Sequence, residues 1–133
     1  MTFLDTGILV GAVLNAHPDH EVCRAAIEDS ARPFTNAHVL AETFATLTGF
    51  YKLPTAAAAE LTLNLCKSLA VEPLALVDYE TAINEARSRG VMGGGIYDSL
   101  HATFARRRKA TQIVTRNPSH FQHVAPDIEI LTP

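Results

Sequence analysis

The sequence predicts an α/β fold, a sandwich of helices around a mainly parallel β-sheet. Short apolar runs alternate with helical patterns along the whole chain, which is typical of βα units and parallel strands. The chain has 133 residues, which fits one domain with its own hydrophobic core. No linker, repeat or low-complexity stretch interrupts the pattern. We therefore expect residues 1–133 to form a single domain.

The apolar runs and turn residues place the elements along the chain. We expect strands at residues 2–4, 33–36, 71–77, 112–115 and 128–131, with the 71–77 strand beside the first. We expect helices from about 8 to 14, then at 21–30, 37–51, 56–69, 79–89 and 96–109, with one or two helical turns at 118–123. In the 37–51 helix, apolar residues recur at i, i+4, i+7 and i+11, which is one helical stripe. Thr55 and Asp78 are the expected N-caps of the helices that follow them.

Composition excludes some classes of protein. No apolar run reaches the roughly 18 residues that a membrane span needs. The N-terminus has no basic region before its apolar run, so we expect a cytoplasmic protein without a signal peptide. Cys23 and Cys66 lack metal-type spacing, and we interpret both as small buried hydrophobic residues.

Charge gives no general attraction to nucleic acid. The formal net charge is −3, so only a local basic cluster could contact phosphates. The run Arg106–Lys109 is such a cluster, at the end of a predicted helix. Cations at a helix C-terminus also interact favourably with the helix dipole, so the run has both a structural and a phosphate-binding interpretation.

Two candidate site regions follow predicted strands. Asp5 comes directly after the first strand, and residues 115–117 (Thr-Arg-Asn) follow the 112–115 strand at its end. Ligands of open parallel sheets bind beyond the carboxyl ends of the strands, so these residues can share one edge. An Asp between a strand and a helix can also be only an N-cap, but Thr6 could take that role instead.

Asp98 lies in the first turn of a helix that follows a glycine turn. The helix dipole alone favours a carboxylate there. However, Tyr97, Leu100, His101 and Phe104 form the apolar stripe of this helix, and Asp98 flanks that stripe. A half-buried carboxylate is costly unless it is paired, and a divalent cation would pair with it.

Two other polar residues give weaker signals. Glu42 lies opposite the apolar stripe of its helix, where a solvated side chain is the default. His38, one turn earlier, is on the same side and is equally unremarkable. His101 lies on an apolar stripe, so we expect a hydrogen-bonded core or interface histidine rather than a metal ligand.

The carboxylates indicate a chemistry. Carboxylates without a supporting His or Cys cluster favour a hard cation such as Mg²⁺ or Mn²⁺. Such sites carry out phosphoryl transfer or phosphodiester hydrolysis. The chain has no Walker-type loop and no G-x-G-x-x-G, so the glycines at 93–95 are interpreted as a tight turn.

The ordered set of motifs resembles a known family. Leu4-Asp5-Thr6, Ala41-Glu42, residues 97–101 (Tyr-Asp-Ser-Leu-His) and residues 114–117 (Val-Thr-Arg-Asn) with Phe121 are similar to the motifs of PIN-domain ribonucleases, and among them of the VapC-type toxins. The resemblance covers essentially the full chain. It implies a PIN-like three-layer α/β/α sandwich and a Mg²⁺-dependent endoribonuclease, with Mn²⁺ as a possible substitute.

The resemblance also implies roles for individual residues. Asp5 and Asp98 would be the metal ligands, and Glu42 would complete the acidic cluster, which overturns its interpretation as a surface residue. Asn117 stands where the family often has a fourth acid, so it supplies an amide and no charge. Thr115 and Ser99 would be supporting polar groups, and Thr115 and Arg116 are candidate substrate contacts.

Partners follow from the same resemblance. Such toxins are usually homodimers, neutralised by an antitoxin protein that covers the acidic groove, and their substrate is RNA. The Ala- and Leu-rich helices between residues 37 and 69 could form a dimer or antitoxin surface, or could be ordinary core.

Two other functions compete with this one. A catalytically weak or inactive PIN-like module that binds RNA or protein is the main alternative. A haloacid-dehalogenase-type phosphatase would need a second Asp two positions after Asp5, where the chain has Gly7.

Overall fold

The fold is a five-stranded parallel sheet with helices on both faces. The computed structural model describes all residues, 1–133. The strands are β1 Thr2–Leu4, β2 Pro33–Asn36, β3 Ala70–Glu72, β4 Gln112–Val114 and β5 Glu129–Leu131. Their order in the sheet is β3-β2-β1-β4-β5, and every neighbouring pair is parallel. The predicted parallel sheet is confirmed.

Seven helices connect and cover the strands. They are α1 Thr6–Val13, α2 His20–Glu28, α3 Ala37–Gly49, α4 Thr55–Ser68, α5 Leu76–Glu85, α6 Gly95–Arg107 and α7 Pro118–Phe121. The chain runs outward from β1 to β3 and then returns to β4 on the other side of β1. With right-handed crossovers, this reversal places α1 to α4 on one face and α5 to α7 on the other. In agreement, α1 packs on α2 and α3, and α6 packs on α5 and α7.

Aromatic side chains pack α6 against the centre of the sheet. Phe3 of β1, Phe34 of β2 and Phe104 of α6 are each at most 1% exposed. Their ring centroids lie 5.7, 5.8 and 6.1 Å apart, with Phe3 meeting both partners edge to face. Burying one such side chain contributes about 1.5–3 kcal/mol. This cluster therefore fixes the position of α6, and with it the position of Asp98 at the start of that helix.

Several predicted element boundaries were wrong, at residues 71–78 and at residue 55. The predicted 71–77 strand is only the three residues of β3, and it pairs with β2 rather than with β1. The apolar residues Leu76 and Val77 belong to the first turn of α5. Asp78 is therefore inside the helix, where its carboxylate accepts a hydrogen bond from the Ala75 amide at 2.8 Å. Likewise, Thr55 is the first residue of α4 rather than its cap.

Two predictions about individual side chains were also wrong. Cys66 is exposed, whereas Cys23 is buried as expected. Tyr97 is 50% exposed and so does not belong to the buried stripe of α6. Its ring stacks on that of His38, with centroids 5.5 Å apart. None of the helices is long and apolar enough to cross a membrane.

The basic run at the end of α6 forms ion pairs within the protein. Arg106 pairs with Asp127, Arg107 with Asp78 and Arg108 with Glu72, at N–O distances of 2.6–2.7 Å. Each guanidinium donates two hydrogen bonds to its carboxylate. Three of the four basic residues are therefore paired within the protein, and their ion pairs tie α6 to neighbouring segments.

Candidate active site

A polar cleft opens at the carboxyl edge of the sheet. It lies where the chain reverses direction between β1 and β4, which is where open α/β sheets bind their ligands. Its volume is about 480 Å³. Its lining is mostly polar and comprises Asp5, Thr6, Gly7, Val10, His17, Asp19, Glu42, Thr46, Tyr51, Asp98, Arg116 and Asn117. Four carboxylates and one guanidinium make the cleft acidic, and all four predicted catalytic residues line it.

Asp5 is held in place by the end of β4. It occupies the N-cap position of α1, yet its side chain makes no capping hydrogen bond. Instead, the Thr115 hydroxyl donates to Asp5 Oδ2 at 2.7 Å. The backbone N–H of Asn117 donates in turn to Thr115 Oγ1 at 3.0 Å. Asp5 is only 5% exposed, so this buried carboxylate is oriented toward the cleft rather than used as a cap.

Asp98 faces Asp5 from the first turn of α6. The turn before this helix contains Gly93 with a φ of +53°, a left-handed conformation that glycine adopts without a steric penalty. Burial raises the pKa of the Asp98 carboxyl, and the charge of Asp5 raises it further. His120 Nδ1 lies 3.1 Å from Asp98 Oδ2. Two desolvated carboxylates that repel each other form a natural site for a cation.

Glu42 joins the cleft from α3, so its pattern-based interpretation as a surface residue was wrong. Its side chain is 31% exposed, and its Oε1 accepts a 2.6 Å hydrogen bond from His101 Nε2. Burial alone would raise the pKa of the Glu42 carboxyl, but the hydrogen bond from His101 and the proximity of His101 and His38 outweigh burial and lower it. The surroundings therefore shift the pKa of Glu42 down and that of Asp98 up.

Arg116 lies at the rim of the cleft. Its guanidinium donates to Asp19 Oδ2 and to the Pro133 carbonyl oxygen, both at 2.6 Å. Its stem lies over the first turn of α1, where a Cβ on Gly7 would be 3.3 Å from Arg116 Cβ and Cγ. The small Gly7 thus leaves room for Arg116 beside the acidic residues.

The donor set suits a hard divalent ion that keeps part of its water shell. No group of three or more His, Cys, Asp or Glu side chains is arranged so that it could hold a metal on its own. Magnesium sites commonly use one or two carboxylates and complete the shell with water, and Asp5 and Asp98 supply two. The Thr6 hydroxyl also lines the cleft, beside Glu42.

Sequence reasoning missed several residues of this site. Asp19 follows a proline in a loop, and nothing in the local pattern connects it to Arg116. The contact between His120 and Asp98 is equally invisible, because a histidine in a single helical turn carries no periodic signal. The contact of His101 with Glu42 had a partial signal, since a histidine on an apolar stripe needs a buried partner.

Comparison with known proteins agrees with the fold. The structure of VapC20 from Mycobacterium tuberculosis, described as a Sarcin-Ricin loop cleaving toxin, is similar with a TM-score of 0.71 and 16% identity, over 85% of this chain and 87% of that chain. VapBC2 from Rickettsia felis, bound to a promoter DNA fragment, has a TM-score of 0.70 and 22% identity, over 99% and 98% of the two chains. FitAcB from Neisseria gonorrhoeae has a TM-score of 0.71 and 16% identity, over 98% and 96%.

At these identities the structural likeness establishes the fold alone. Comparison with curated proteins gives no match. The PIN domain family matches residues 2–126, which is nearly the whole chain and includes every strand but the last. The chain belongs to the PIN domain family.

Proposed function

We propose that this protein is a Mg²⁺-dependent endoribonuclease, with Mn²⁺ as a substitute, and the toxin of a type II toxin–antitoxin pair. The observation that carries the proposal is the pair of desolvated carboxylates, Asp5 and Asp98, that meet in the cleft with Glu42 and Asn117. Membership of the PIN domain family supports it. So does the likeness to VapC20, which is described as a toxin that cleaves the Sarcin-Ricin loop.

Each side chain in the cleft has a separate proposed role in phosphodiester hydrolysis. Asp5 and Asp98 would hold the ion, with Thr115 keeping the Asp5 carboxylate in one orientation. A bound Mg²⁺ would lower the pKa of a water molecule and offset the negative charge that builds up on the phosphate. Ionised Glu42 accepts a hydrogen bond from the attacking water and so aligns it with phosphorus. The side-chain amide of Asn117 adds hydrogen bonds without adding charge.

Arg116 is the proposed contact to the RNA backbone. It is the one guanidinium in the cleft lining, and a guanidinium can donate two parallel hydrogen bonds to a phosphate. Asp19 and the Pro133 carbonyl oxygen each accept one hydrogen bond from its terminal nitrogens, and the remaining N–H groups can donate to a phosphate. Thr115 is fully buried and donates to Asp5. We therefore assign it a positioning role in place of the substrate contact expected from the sequence.

We further propose a cytoplasmic homodimer that is inhibited by an antitoxin protein. The likeness to VapBC2 and FitAB supports this proposal, and both of those structures are bound to a DNA fragment. For this chain the acidic cleft gives the chemical reason for such inhibition. A protein segment that places a basic side chain between Asp5 and Asp98 would neutralise both carboxylates and exclude RNA.

The test is cleavage of RNA by purified protein that carries Asp98→Asn. We expect the variant to lose at least about 100-fold in cleavage rate, because an uncharged ligand binds the ion weakly. Arg24→Ala is the matched control, since Arg24 forms only an exposed pair with Glu28 and should cut normally. Full activity of a folded Asp98→Asn protein would refute the proposal.

The alternative is a PIN-like module that binds RNA or protein without cutting, and the amide at Asn117 favours it. Thermal unfolding with and without Mn²⁺ separates the two functions. An ion that binds only the folded protein raises its melting temperature. If no divalent ion shifts it, the protein is a binding module.

A further inference from the structure

A buried chain of hydrogen bonds runs from the start of α3 to Glu42. The Val39 amide donates to Asn36 Oδ1 at 3.1 Å. Asn36 Nδ2 lies 2.9 Å from His101 Nδ1, and His101 Nε2 lies 2.6 Å from Glu42 Oε1. Asn36 and His101 are both completely buried. These hydrogen bonds therefore link Asn36, the N-cap of α3, to Glu42 of the same helix through the His101 side chain of α6.

The backbone sets the direction of every hydrogen bond in this chain. An amide N–H can only donate, so the Asn36 atom that accepts from Val39 is the oxygen. The Asn36 nitrogen must then face His101, and it can only donate. His101 Nδ1 is consequently an acceptor, and the ring proton lies on Nε2, where it is donated to the Glu42 carboxylate. The N-cap of one helix thus selects the histidine tautomer.

The hydrogen-bond chain fixes one oxygen of the Glu42 carboxylate. Both histidines near it approach the same oxygen, since His101 Nε2 is 2.6 Å and His38 Nε2 is 3.6 Å from Oε1. Fixing Oε1 removes most of the rotational freedom of a flexible glutamate and leaves Oε2 available to the cleft that Glu42 lines. Hydrogen bonds of this kind orient the side chains that act directly at a site.

Packing alone does not account for His101. Its ring contacts Phe3, with centroids 5.8 Å apart, and a leucine or phenylalanine would fill this space without any polar atom to satisfy. A buried polar network is costly unless each member is paired, and here each one is. We propose that Asn36 and His101 are positioning residues that act through Glu42, by holding its carboxylate in the orientation needed for hydrolysis. This inference rests on the proposed nuclease function.

The first test compares two substitutions of His101 that differ in reach. In His101→Gln the amide nitrogen can still reach Glu42, roughly where Nε2 was. In His101→Asn the shorter side chain can still meet Asn36 but not Glu42. We expect His101→Asn to lower the rate of RNA cleavage about 10- to 100-fold, and His101→Gln to recover most of it. Equal losses in both would overturn the inference.

A double-mutant cycle separates positioning from a general structural effect. If His101 acts only through Glu42, His101→Asn should cause no further loss of cleavage in a Glu42→Ala background. If the two losses multiply, His101 acts independently and the inference is wrong. Urea unfolding of each variant confirms that folded protein is compared.

Nitrogen-15 NMR of the unmodified protein tests the same inference without any activity assay. The inference requires a protonated Nε2 and an unprotonated Nδ1 on His101, and the opposite tautomer would overturn it. If neither the unmodified protein nor Glu42→Ala cuts RNA, the proposed function fails, while the NMR result still decides the hydrogen-bond chain.

Discussion

Removing the guanidinium of Arg107 should destabilise the fold without touching the active site. The Asp78 carboxylate is 1% exposed and accepts three hydrogen bonds, at 2.6 and 2.9 Å from Arg107 and at 2.8 Å from the Ala75 amide. Arg107→Ala leaves this buried charge with the amide alone. Breaking a buried ion pair in this way costs about 3–5 kcal/mol.

The exposure of Arg107 reduces that figure. Its side chain is 38% exposed, so water can enter the vacated space and partly solvate Asp78. We therefore expect a loss of about 2–3 kcal/mol in the free energy of unfolding. For a chain of this size, this corresponds to a melting temperature lower by about 8–12 °C.

The effect should also depend on pH. Burial would raise the pKa of the Asp78 carboxyl, but the hydrogen bonds from Arg107 and Ala75 outweigh burial and lower it. A lowered pKa in the folded state means that the ion pair stabilises the fold above the unfolded pKa, near 3.8. This stabilisation is lost as the pH falls through the folded pKa. The difference between the two proteins should therefore be full at pH 7 and shrink in acid.

The assay is urea unfolding followed by circular dichroism, at pH 7 and in acid. Arg24→Ala is the control, because its pair with Glu28 is exposed and contributes at most about 0.5 kcal/mol. RNA cleavage by the folded fraction of Arg107→Ala should be normal, since Arg107 and Asp98 lie at opposite ends of α6. A loss no larger than that of the control would refute the reasoning.

Two further substitutions test packing and electrostatics. A Cβ on Gly11 would lie 2.5 Å from Cys23 Sγ, where α1 and α2 meet, so Gly11→Ala should cost about 1–3 kcal/mol of overpacking. Gly49→Ala, with nothing within 4 Å of its Cβ, should be neutral or stabilising in the same urea titration, and equal effects at both positions would contradict the packing account. In metal-free protein, Asp98→Asn should raise stability at pH 7, because burial and Asp5 raise the pKa of Asp98. A raised pKa means that the folded protein loses stability as the pH rises through the interval between the unfolded and folded pKa values, so the two proteins should converge in acid. A less stable Asp98→Asn protein at pH 7 without divalent ions would show that the carboxylates do not repel each other.

The sequence was most informative where chemistry depends on local pattern. Alternating apolar runs predict the parallel sheet, and the strand-end rule places Asp5 near residues 115–117 because parallel strands share an edge. The position of Asp98 beside an apolar stripe predicts its partial burial. Each of these inferences uses only the local pattern around a residue, together with the common edge at which parallel strands end.

Long-range pairing was beyond the same reasoning. Arg108 and Glu72 are 36 residues apart and Glu42 and His101 are 59 apart, so no helical or strand period connects them. The helical wheel placed Glu42 in solvent because it takes no account of His101, which reaches Glu42 from α6. The strand predicted at 71–77 was wrong for a related reason. An apolar run fits either a strand or the first turn of a helix, and only its neighbours in space decide.

The proposed nuclease function requires a divalent ion in the cleft between Asp5 and Asp98. A crystal of the protein grown with Mn²⁺ and measured for anomalous scattering tests it directly. The structure predicts one anomalous peak in the cleft, within coordination distance of oxygens from both carboxylates. A peak bound only elsewhere on the surface, or none in the cleft at millimolar Mn²⁺, would contradict it.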